Sequence, residues 1–568
     1  MKVTFIGAVH EVTGSRTLIE CGNLNVLVDY GMEQGRNEFE NIDLPIPPSE
    51  IDCVFLTHAH IDHSGHLPLL YKQGFRGKVY STEATCSLCH IMLLDSAHIQ
   101  ESDAEWKNRK AKRAGRPEVE PLYTVKDAEG VLQLFHTCPY GRRIQVEEGI
   151  DIRFQDMGHL LGSSAVEIWL KEGDVEKKIV FSGDVGNIDQ PIINDPQPVD
   201  HADYVVIEST YGNRNHGPRP GYVESLSKIL QETFDRGGNV IIPSFAVGRT
   251  QEMLYFLRQI KLHGLVKGHD GFPIYVDSPL ANEATRVFLQ CHSENFDPEM
   301  KALVQQGINP IWSDGLRISV TAEDSKAINL DAEPKVILAA SGMCDAGRIR
   351  HHLKHNLWRK ESTILFVGYQ SAGTLGRALV DGADEVKLFD EKIHVAAQIL
   401  QLPGISGHAD QDGLIHWLQG FEEKPCHVFV NHGDDESCKA FRDLISLKYG
   451  YEATAPYSGA VYDLAQGRYE YEAQGVRIAR REQDDKEGVG HKQTSGEIQP
   501  AKNIQRDPQL EVAQAKGSDK RSSAIYDRLQ KSIDQLAEVA KKNRNRSDKD
   551  LKKFLTQVEN LCKQWRRR

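Results

Sequence analysis

The run His58-Ala59-His60-Ile61-Asp62-His63 constrains this chain more than any other feature. It follows the apolar residues 53–56, which predict a buried strand, and it precedes residues 64–68, which are typical of a loop entering a helix. At such a junction, alternate side chains can point at two neighbouring metal ions. Imidazole nitrogens and carboxylate oxygens suit zinc, with manganese or iron as alternatives. A polar loop with ordinary surface histidines is the competing interpretation, but it has no physical need for four ligand-type side chains at this spacing.

Three further residues can complete a metal site of this kind. Asp29 ends a strand-like run, where its carboxylate can accept hydrogen bonds from the histidine loop and hold the imidazoles in one tautomer without binding metal itself. His159 stands between two nearby glycines, which let the backbone approach the site. Asp184 follows a buried strand, and a carboxylate there can bridge two ions. A lone Asp at a strand end is more often structural, so the prediction depends on the whole set.

This set resembles the metallo-β-lactamase superfamily. Asp29 matches its first motif, residues 58–63 its second, His159 its third and Asp184 its fourth. The resemblance implies an αββα sandwich with a dinuclear metal site at one edge. It does not settle the function, because lactamases, thioesterases, glyoxalase-type hydrolases and nucleases all share this frame.

Three later residues narrow the resemblance to the β-CASP branch, whose members cut nucleic acids. Glu208, after a strand-like run, matches motif A of that branch, His408 matches motif B, and His432 matches motif C. A histidine at motif C resembles the RNA-cutting type, as in the pre-mRNA 3′-end cleavage endonuclease and ribonuclease J. DNA-cutting members usually carry a different residue there. The resemblance covers roughly residues 1–465, and the layout is most similar to the compact prokaryotic members.

The resemblance also implies a role for each of these residues. One ion would be held by His58, His60 and His159, the other by Asp62, His63 and His432, and Asp184 would bridge them. Two such ions, about 3.5–4 Å apart, make a hydroxide available for in-line attack on a phosphodiester. Asp62, Glu208 and His408 are the predicted catalytic residues. His408, oriented by Glu208, is the predicted general acid, a role worth about 10²–10⁴-fold, and a purely structural histidine is the alternative.

Phosphate contacts are predicted from weaker signals. Loops of small residues after strand-like runs can present backbone N–H groups to phosphate. Arginine side chains can donate two hydrogen bonds to the phosphate oxygens. The candidates are Arg249, Ser341, Gly342, Arg348 and Ser406. Tight turns and surface ion pairs explain each of them equally well. None of these loops fits a nucleotide P-loop, since no Gly-Lys-Ser/Thr follows them.

The segment Cys86-Ser87-Leu88-Cys89-His90 matches the pattern of c-type haem attachment, but we predict no haem. The surrounding residues 82–97 have helical periodicity and a largely apolar face. The N-terminal residues of the chain lead into a predicted strand rather than resembling a secretory signal. The ten cysteines lack a disulfide-like spacing, and no run of 18 apolar residues predicts a membrane span. We therefore expect a cytoplasmic protein with reduced thiols.

The length of 568 residues indicates several structural units. The predicted fold class is α/β: an αββα metallo-β-lactamase sandwich with an inserted α/β β-CASP domain and a basic helical C-terminal extension. The predicted limits are 1–208 and 394–475 for the two parts of the lactamase domain, 209–393 for the β-CASP domain, 476–523 for a flexible linker and 524–568 for a basic helical hairpin.

The tail from Val476 onward differs in charge from the rest of the chain. It holds 23 Lys and Arg against 14 Asp and Glu, whereas the whole chain carries −13, so residues 1–475 carry −22. An acidic body needs locally gathered positive charge to bind RNA. Apolar stripes in the tail are typical of a helical hairpin that docks, forms a homodimer or meets a protein partner, and its basic end can add salt-sensitive phosphate contacts. The basic residues within 101–121 suit either RNA contact or a solvated charged face.

The leading prediction is a metal-dependent ribonuclease acting on single-stranded RNA in processing or decay, with RNA in the cleft between the two domains. It would use two divalent ions, zinc before manganese, and cut endonucleolytically, with 5′-to-3′ exonucleolytic action as an additional mode. A DNA-cutting β-CASP nuclease is the nearest alternative. A small-molecule metallo-hydrolase leaves Glu208 and His408 without a task, and a non-catalytic RNA-binding scaffold does not need the full set of ligands found here.

Overall fold

The computed structural model describes residues 1–478, apart from positions 36, 115, 116, 218, 219, 292, 372, 403 and 405. The predicted linker and the predicted helical hairpin therefore lie outside the described residues, except for residues 476–478. Within the described part of the chain, no helix is long and apolar enough to cross a membrane.

Strands and helices alternate along the described chain. The strands are β1 (Lys2–Gly7), β2 (Arg16–Cys21), β3 (Leu24–Tyr30), β4 (Cys53–Phe55), β5 (Lys78–Thr82), β6 (Phe135–Cys138), β7 (Ile144–Glu147), β8 (Ile150–Asp156), β9 (Ser164–Glu172), β10 (Val175–Phe181), β11 (Tyr204–Ile207), β12 (Val240–Pro243), β13 (Ile274–Val276), β14 (Leu316–Ile318), β15 (Val336–Ala339), β16 (Thr363–Phe366), β17 (Glu385–Leu388), β18 (Glu391–His394), β19 (Gln398–Gln401), β20 (His427–Val430), β21 (Ala453–Thr454), β22 (Val461–Asp463) and β23 (Arg468–Tyr471). The helices are α1 (Ile61–Ser64), α2 (Leu67–Lys72), α3 (Glu83–Ala114), α4 (Val125–Leu132), α5 (Tyr222–Asp235), α6 (Arg249–Leu262), α7 (Pro279–Gln290), α8 (Pro298–Gln305), α9 (Ala322–Leu330), α10 (Ile349–Asn356), α11 (Leu375–Val380), α12 (Gln411–Leu418) and α13 (Asp435–Leu447), with 3₁₀ turns at Pro48–Glu50 and Ser293–Asn295.

Two sheets pack face to face to form a sandwich. One has the spatial order β23-β22-β1-β2-β3-β4-β5-β6, and the other has the order β21-β20-β11-β10-β9-β8-β7. Their facing sides share one apolar core, in which the rings of Phe5 and Phe429 have centroids 5.0 Å apart. Burying an aromatic ring of this size contributes about 1.5–3 kcal/mol, so this core holds the two sheets together.

Helices cover the outer side of each sheet. In β3, Val26 and Val28 point into the core between the sheets, while Leu27 points the other way into a core shared with α2, α3 and α4. In β11, Val205 and Ile207 likewise pack with α12 and α13. Successive side chains of a strand point to opposite faces of the sheet. Because both faces are covered here, the sequences of these strands are continuous apolar runs.

A third sheet has the order β14-β13-β15-β12-β16-β19, and its strands are all parallel. One of its faces packs with α5, α6 and α7, and the other packs with α10 and α11. This is the α/β unit expected after residue 209. The sheet continues to Gln401, beyond the predicted limit at residue 393, because β19 pairs with the open edge of β16.

Candidate metal centre

The carboxyl ends of several parallel strands meet at one edge of the sandwich. In the first sheet β3, β4 and β5 run parallel, and in the second sheet β10, β11 and β20 do so. Asp29 lies near the end of β3, while Asp184, Glu208 and His432 follow β10, β11 and β20. Polar side chains at the ends of adjacent parallel strands converge, so this edge collects groups that are far apart in the chain.

Three groups of potential metal ligands gather there among the described residues. Within each group the ligand atoms lie within 4.8 Å of one another, and the groups are His58, His60, His159 and Asp184; Asp62, His63 and His432; and Asp184, Glu208 and His408. The structure thus brings together all seven predicted metal ligands. Their assignment as ligands stays a prediction.

The first group converges on one point. His60 Nδ1 lies 3.1 Å from His58 Nε2 and 3.2 Å from His159 Nε2. Asp184 Oδ2 lies 3.4 Å from both His58 Nε2 and His159 Nε2. Four ligands at zinc–nitrogen distances of 2.0–2.1 Å in a tetrahedron are separated by about 3.3 Å, so this spacing fits a tetrahedral ion.

The second group lies on the other side of Asp184. His63 Nε2 is 3.1 Å from His432 Nε2, and the latter is 3.7 Å from Asp62 Oδ2. Asp184 Oδ1 lies 3.3 Å from His63 Nε2, yet this buried oxygen has no hydrogen-bond partner among the described residues. A buried, unsatisfied carboxylate oxygen is costly, and a cation between the histidines would satisfy it. The residues present therefore fit a second ion.

Asp29 contacts His63 on the side away from the metal centre. Its Oδ2 lies 2.6 Å from His63 Nδ1, and it accepts hydrogen bonds from the Thr57 N–H at 2.8 Å and from Ser15 Oγ at 3.2 Å. A carboxylate on Nδ1 places the proton there and leaves Nε2 as the metal-binding nitrogen.

Burial and neighbouring charges act differently on the imidazoles of the two ligand groups. Burial lowers the pKa of His60 to about 3, and it also lowers the pKa of His58 and His159. Burial alone raises a carboxyl pKa, but imidazoles such as His432 hold the pKa of Asp184 well below its usual value. Burial lowers the pKa of His63 and of His432 as well, but Asp184 and the neighbouring carboxylates outweigh burial and raise the pKa of both. A divalent cation binds neutral imidazoles, so an ion in the second group would displace the protons of these two rings.

His408 lies beside the centre with Glu208 behind it. Its Nδ1 lies 3.0 Å from Glu208 Oε1, and Glu208 accepts hydrogen bonds from the N–H groups of Val185 and Thr210 at 2.7 and 3.1 Å. Burial lowers the pKa of His408, but the charges of Glu208 and Asp184 outweigh burial and raise that pKa to about 9. The side chain keeps 22% exposure, so it can reach a substrate from the solvent side.

The two arginines predicted to contact phosphate form ion pairs with acidic residues in the third-sheet region. Arg348 donates to Asp277 Oδ1 at 2.7 Å and to the Val320 carbonyl at 2.8 Å, while Arg249 pairs with Glu252. Both are therefore held in place by the protein itself. A phosphate contact from either one stays a prediction.

The small-residue candidates lie in tight loops. Ser341 Oγ donates weakly to the Ala346 carbonyl at 3.4 Å, and Ser406 Oγ accepts the His408 N–H at 3.2 Å. A Cβ on Gly342 would lie 3.2 Å from ring carbons of Phe245, so that glycine accommodates a ring. The structure places Ser406 against His408 and puts Ser341 and Gly342 in the loop that follows β15 of the third sheet.

Some contacts at the site are not evident from the sequence. Thr57 Oγ1 touches both Asp29 Oδ2 and His58 Nδ1 at 3.0 Å, and its position directly before the histidine run is the only signal for it. His216 Nε2 lies 3.0 Å from the His408 carbonyl, and nothing in the local pattern points to that contact. Both residues hold functional groups in position.

Comparisons with known proteins agree with this arrangement. Residues 12–244 match the metallo-beta-lactamase superfamily, residues 250–379 match the Beta-Casp domain, and residues 392–456 match the Zn-dependent metallo-hydrolase RNA specificity domain.

Several curated relatives match most of the chain. It is 38% identical over 449 residues to Ribonuclease TTHA0252 of Thermus thermophilus, a match covering 79% of this chain and 96% of that protein. It is 31% and 30% identical to proteins named Transcription termination factor FttA in Lokiarchaeum sp. and Methanocaldococcus jannaschii, covering 80% of this chain and 70% of each relative. The chain therefore belongs to the β-CASP branch of the metallo-β-lactamase superfamily, and the predicted family and fold class are confirmed.

Proposed function

We propose that this protein is a metal-dependent ribonuclease that hydrolyses phosphodiester bonds of single-stranded RNA at the metal centre. The observation that carries the proposal is the position of Asp184, whose Oδ2 lies 3.4 Å from His58 Nε2 and whose Oδ1 lies 3.3 Å from His63 Nε2, beside a solvent-accessible His408. Family membership supports a hydrolase of this class. The match over an RNA specificity domain and the relative named as a ribonuclease support RNA over DNA.

The ligand sets favour two divalent ions, with zinc ahead of manganese. When bound, such ions supply an activated water and neutralise charge on the phosphate. His58, His60 and His159 would hold one, and Asp62 with His63 and His432 the other. The mixture of imidazoles with carboxylates suits zinc, because carboxylate-rich oxygen sites are the ones that favour magnesium or calcium.

His408 is proposed to protonate the leaving 3′-oxygen. Glu208 accepts the Nδ1 proton of the ring, which leaves Nε2 to face a substrate. Burial lowers the pKa of His408, but the Glu208 carboxylate raises it and so favours the protonated imidazole that a general acid needs. Asp62 is also proposed to take part in catalysis, because its Oδ2 lies 3.7 Å from His432 Nε2 in the same metal centre.

Endonucleolytic cutting, with 5′-to-3′ exonucleolytic cutting as a second mode, is the proposed pattern of cleavage.

The chain spans 96% of the relative named as a ribonuclease but 70% of the relatives named as termination factors. The ribonuclease activity is therefore the function to test first.

The test uses purified, metal-quantified protein with 5′-labelled and internally labelled single-stranded RNA and the matching DNA. His408→Ala should lower RNA cleavage by about 10²–10⁴-fold while metal content stays unchanged. The matched control is His416→Ala, because His416 is an exposed histidine on α12. Loss of metal from His408→Ala would place His408 among the ligands. Intact RNA with metal-loaded wild-type protein would contradict the proposal, and DNA cleavage alone would favour the DNA-cutting alternative.

The C-terminal extension is proposed to add RNA contacts, given its net positive charge in the sequence. Its deletion should begin at residue 479, because Arg477 pairs with Glu38 at 2.5 Å and with Asp435 at 3.3 Å. Deleting residues 479–568 should weaken RNA binding, leave metal content intact, and reduce the salt slope by about 0.7 for each phosphate that the extension neutralises. Unchanged binding across a salt titration would contradict this role.

A further inference from the structure

Two exposed aromatic rings stand at the carboxyl edge of the third sheet. Strands β15, β12 and β16 are adjacent and parallel, so the loops that follow them leave the sheet at the same edge. Phe245, in the loop after β12, is 49% exposed, and Tyr369, in the loop after β16, is 53% exposed. Large aromatic side chains usually bury most of their surface, so two exposed rings on neighbouring loops indicate a surface for a ligand.

The loop that follows β15 contacts both aromatic loops. A Cβ on Gly342 would lie 3.2 Å from ring carbons of Phe245, so the ring lies directly against that glycine. The buried Gln370 donates through Nε2 to the Gly342 carbonyl at 3.1 Å and to the Tyr369 carbonyl at 3.0 Å. The two aromatic loops are thus tied to one backbone segment, the loop that follows β15.

The Phe245 loop also borders the metal centre. Gly248, three residues after Phe245, would place a Cβ 3.2 Å from Leu160 Cδ1. Leu160 follows His159, whose Nε2 belongs to the first ligand group. A strand of nucleic acid with one phosphate at the centre can therefore have its neighbouring nucleotides beside this loop.

An exposed arginine lies on α11, the helix that follows the Tyr369 loop. The side chain of Arg377 is 44% exposed. It donates through Nε to both oxygens of Asp381 at 2.9 Å. Within the described part of the chain, this leaves the terminal guanidinium nitrogens available for phosphate. Aromatic faces combined with cations are the usual means of holding single strands.

We infer that Phe245 and Tyr369 form a stacking platform for unpaired bases of the RNA substrate, beside the cleavage site. This inference rests on the proposed ribonuclease function and specifies the substrate as unpaired RNA. Stacking tolerates any base because every base has a π-face, whereas bases in a duplex are already stacked on each other. The platform therefore selects strandedness rather than sequence.

The test measures RNA affinity by fluorescence anisotropy in a His408→Ala background, with gels confirming that the RNA stays intact. The probes are a single-stranded RNA, the same RNA with abasic sites in place of its bases, and its duplex. Phe245→Ala and Tyr369→Ala should each weaken single-strand binding roughly 5- to 100-fold, while Tyr369→Phe retains it. The slope of affinity against salt should not change, because the rings carry no charge.

Trp358→Ala is the matched control. Trp358 is 59% exposed in the same region but lies between α10 and the start of β16, at the opposite edge of the sheet. Its removal should leave RNA affinity unchanged. Thermal unfolding of every variant checks that the fold is retained, and the comparison of abasic with normal RNA, which needs no ring variant, keeps the test valid if an alanine variant unfolds.

Two outcomes would overturn the platform. One is equal binding of abasic and normal RNA by the protein with both rings present, and the other is wild-type affinity in both alanine variants. If either outcome is found and protein with His408 intact still cleaves RNA, the platform is rejected and the proposed function stands. If the protein neither binds nor cleaves RNA, both are rejected.

Discussion

The described part of the molecule contains two buried clusters of histidine and aspartate, and they differ in whether every carboxylate oxygen has a hydrogen-bond partner. At the metal centre, Asp184 Oδ1 lies among imidazole nitrogens without a hydrogen-bond partner among the described residues. In the third-sheet region, Asp277 Oδ2 lies 2.6 Å from His352 Nε2, and Asp277 Oδ1 accepts from Arg348 at 2.7 Å. Both carboxylate oxygens of Asp277 have partners within the protein, whereas Asp184 Oδ1 has none among the described residues and fits a bound cation.

The other nitrogen of His352 is also occupied, since Nδ1 lies 2.9 Å from Asn329 Oδ1. Burial alone would raise the pKa of Asp277, but its hydrogen bonds, with that from His352 the strongest, lower it below its usual value. Residue types alone therefore do not distinguish a metal site from a structural network. The distinction lies in the hydrogen-bond partners that each polar atom has.

The largest expected effect comes from Asp184→Asn. An amide cannot supply an anionic oxygen to both ligand groups, so RNA cleavage should fall by more than about 10³-fold. Metal content per protein should fall as well, measured by elemental analysis after dialysis. Asp189→Asn is the control, because Asp189 is exposed and lies five residues away. Full metal occupancy in Asp184→Asn would remove the difference between the two clusters.

Asp277→Asn should act on stability and not on metal. Removing the carboxylate that lies between Arg348 and His352 leaves a buried network without its negative charge, which typically costs about 3–5 kcal/mol. The midpoint of chemical unfolding should fall, while metal content stays at the wild-type level. Asp270→Asn, an exposed position in the same region, should change neither quantity. A loss of metal here would show that the second cluster also binds ions.

Metal removal should destabilise the first cluster alone. A ligand present at a hundred times its Kd stabilises the folded state by about 2.7 kcal/mol, and chelation removes that contribution. Hydrogen exchange should therefore quicken at residues 58–63 and around Asp184, with no change around Asp277. Equal loss of protection at both clusters would mean that the ion stabilises the whole molecule rather than one edge of the sandwich.

The smallest effect is expected for Asp29→Asn. The hydrogen bond to His63 Nδ1 would weaken without removing a ligand, and such changes behind a ligand cost about 10–100-fold in metal affinity. Excess zinc should restore activity in this variant but not in Asp184→Asn. Failure of zinc to restore activity would place Asp29 in a structural role or among the ligands.

Local pattern was sufficient for several predictions. The histidine run follows the buried strand β4, as expected, because apolar periodicity is a property of adjacent residues. The helix was expected after residues 64–68, but α1 already begins at Ile61, within the run. Helical periodicity likewise predicted a helix around Cys86 and Cys89, and both lie buried in α3. Resemblance to a family then joined motifs that the chain separates widely, such as His63 and His432, whose Nε2 atoms are 3.1 Å apart.

The sequence by itself determined the residue types at the metal centre, the strands that carry them and the family. Only the tertiary structure decided which polar atoms are already satisfied. Arg348 looks available for phosphate until Asp277, 71 positions away, is seen to hold it. Phe245 and Tyr369 are ordinary loop residues until the parallel strands bring their loops to one edge. Local patterns encode backbone periodicity, whereas hydrogen-bond partners and exposure depend on how distant segments pack.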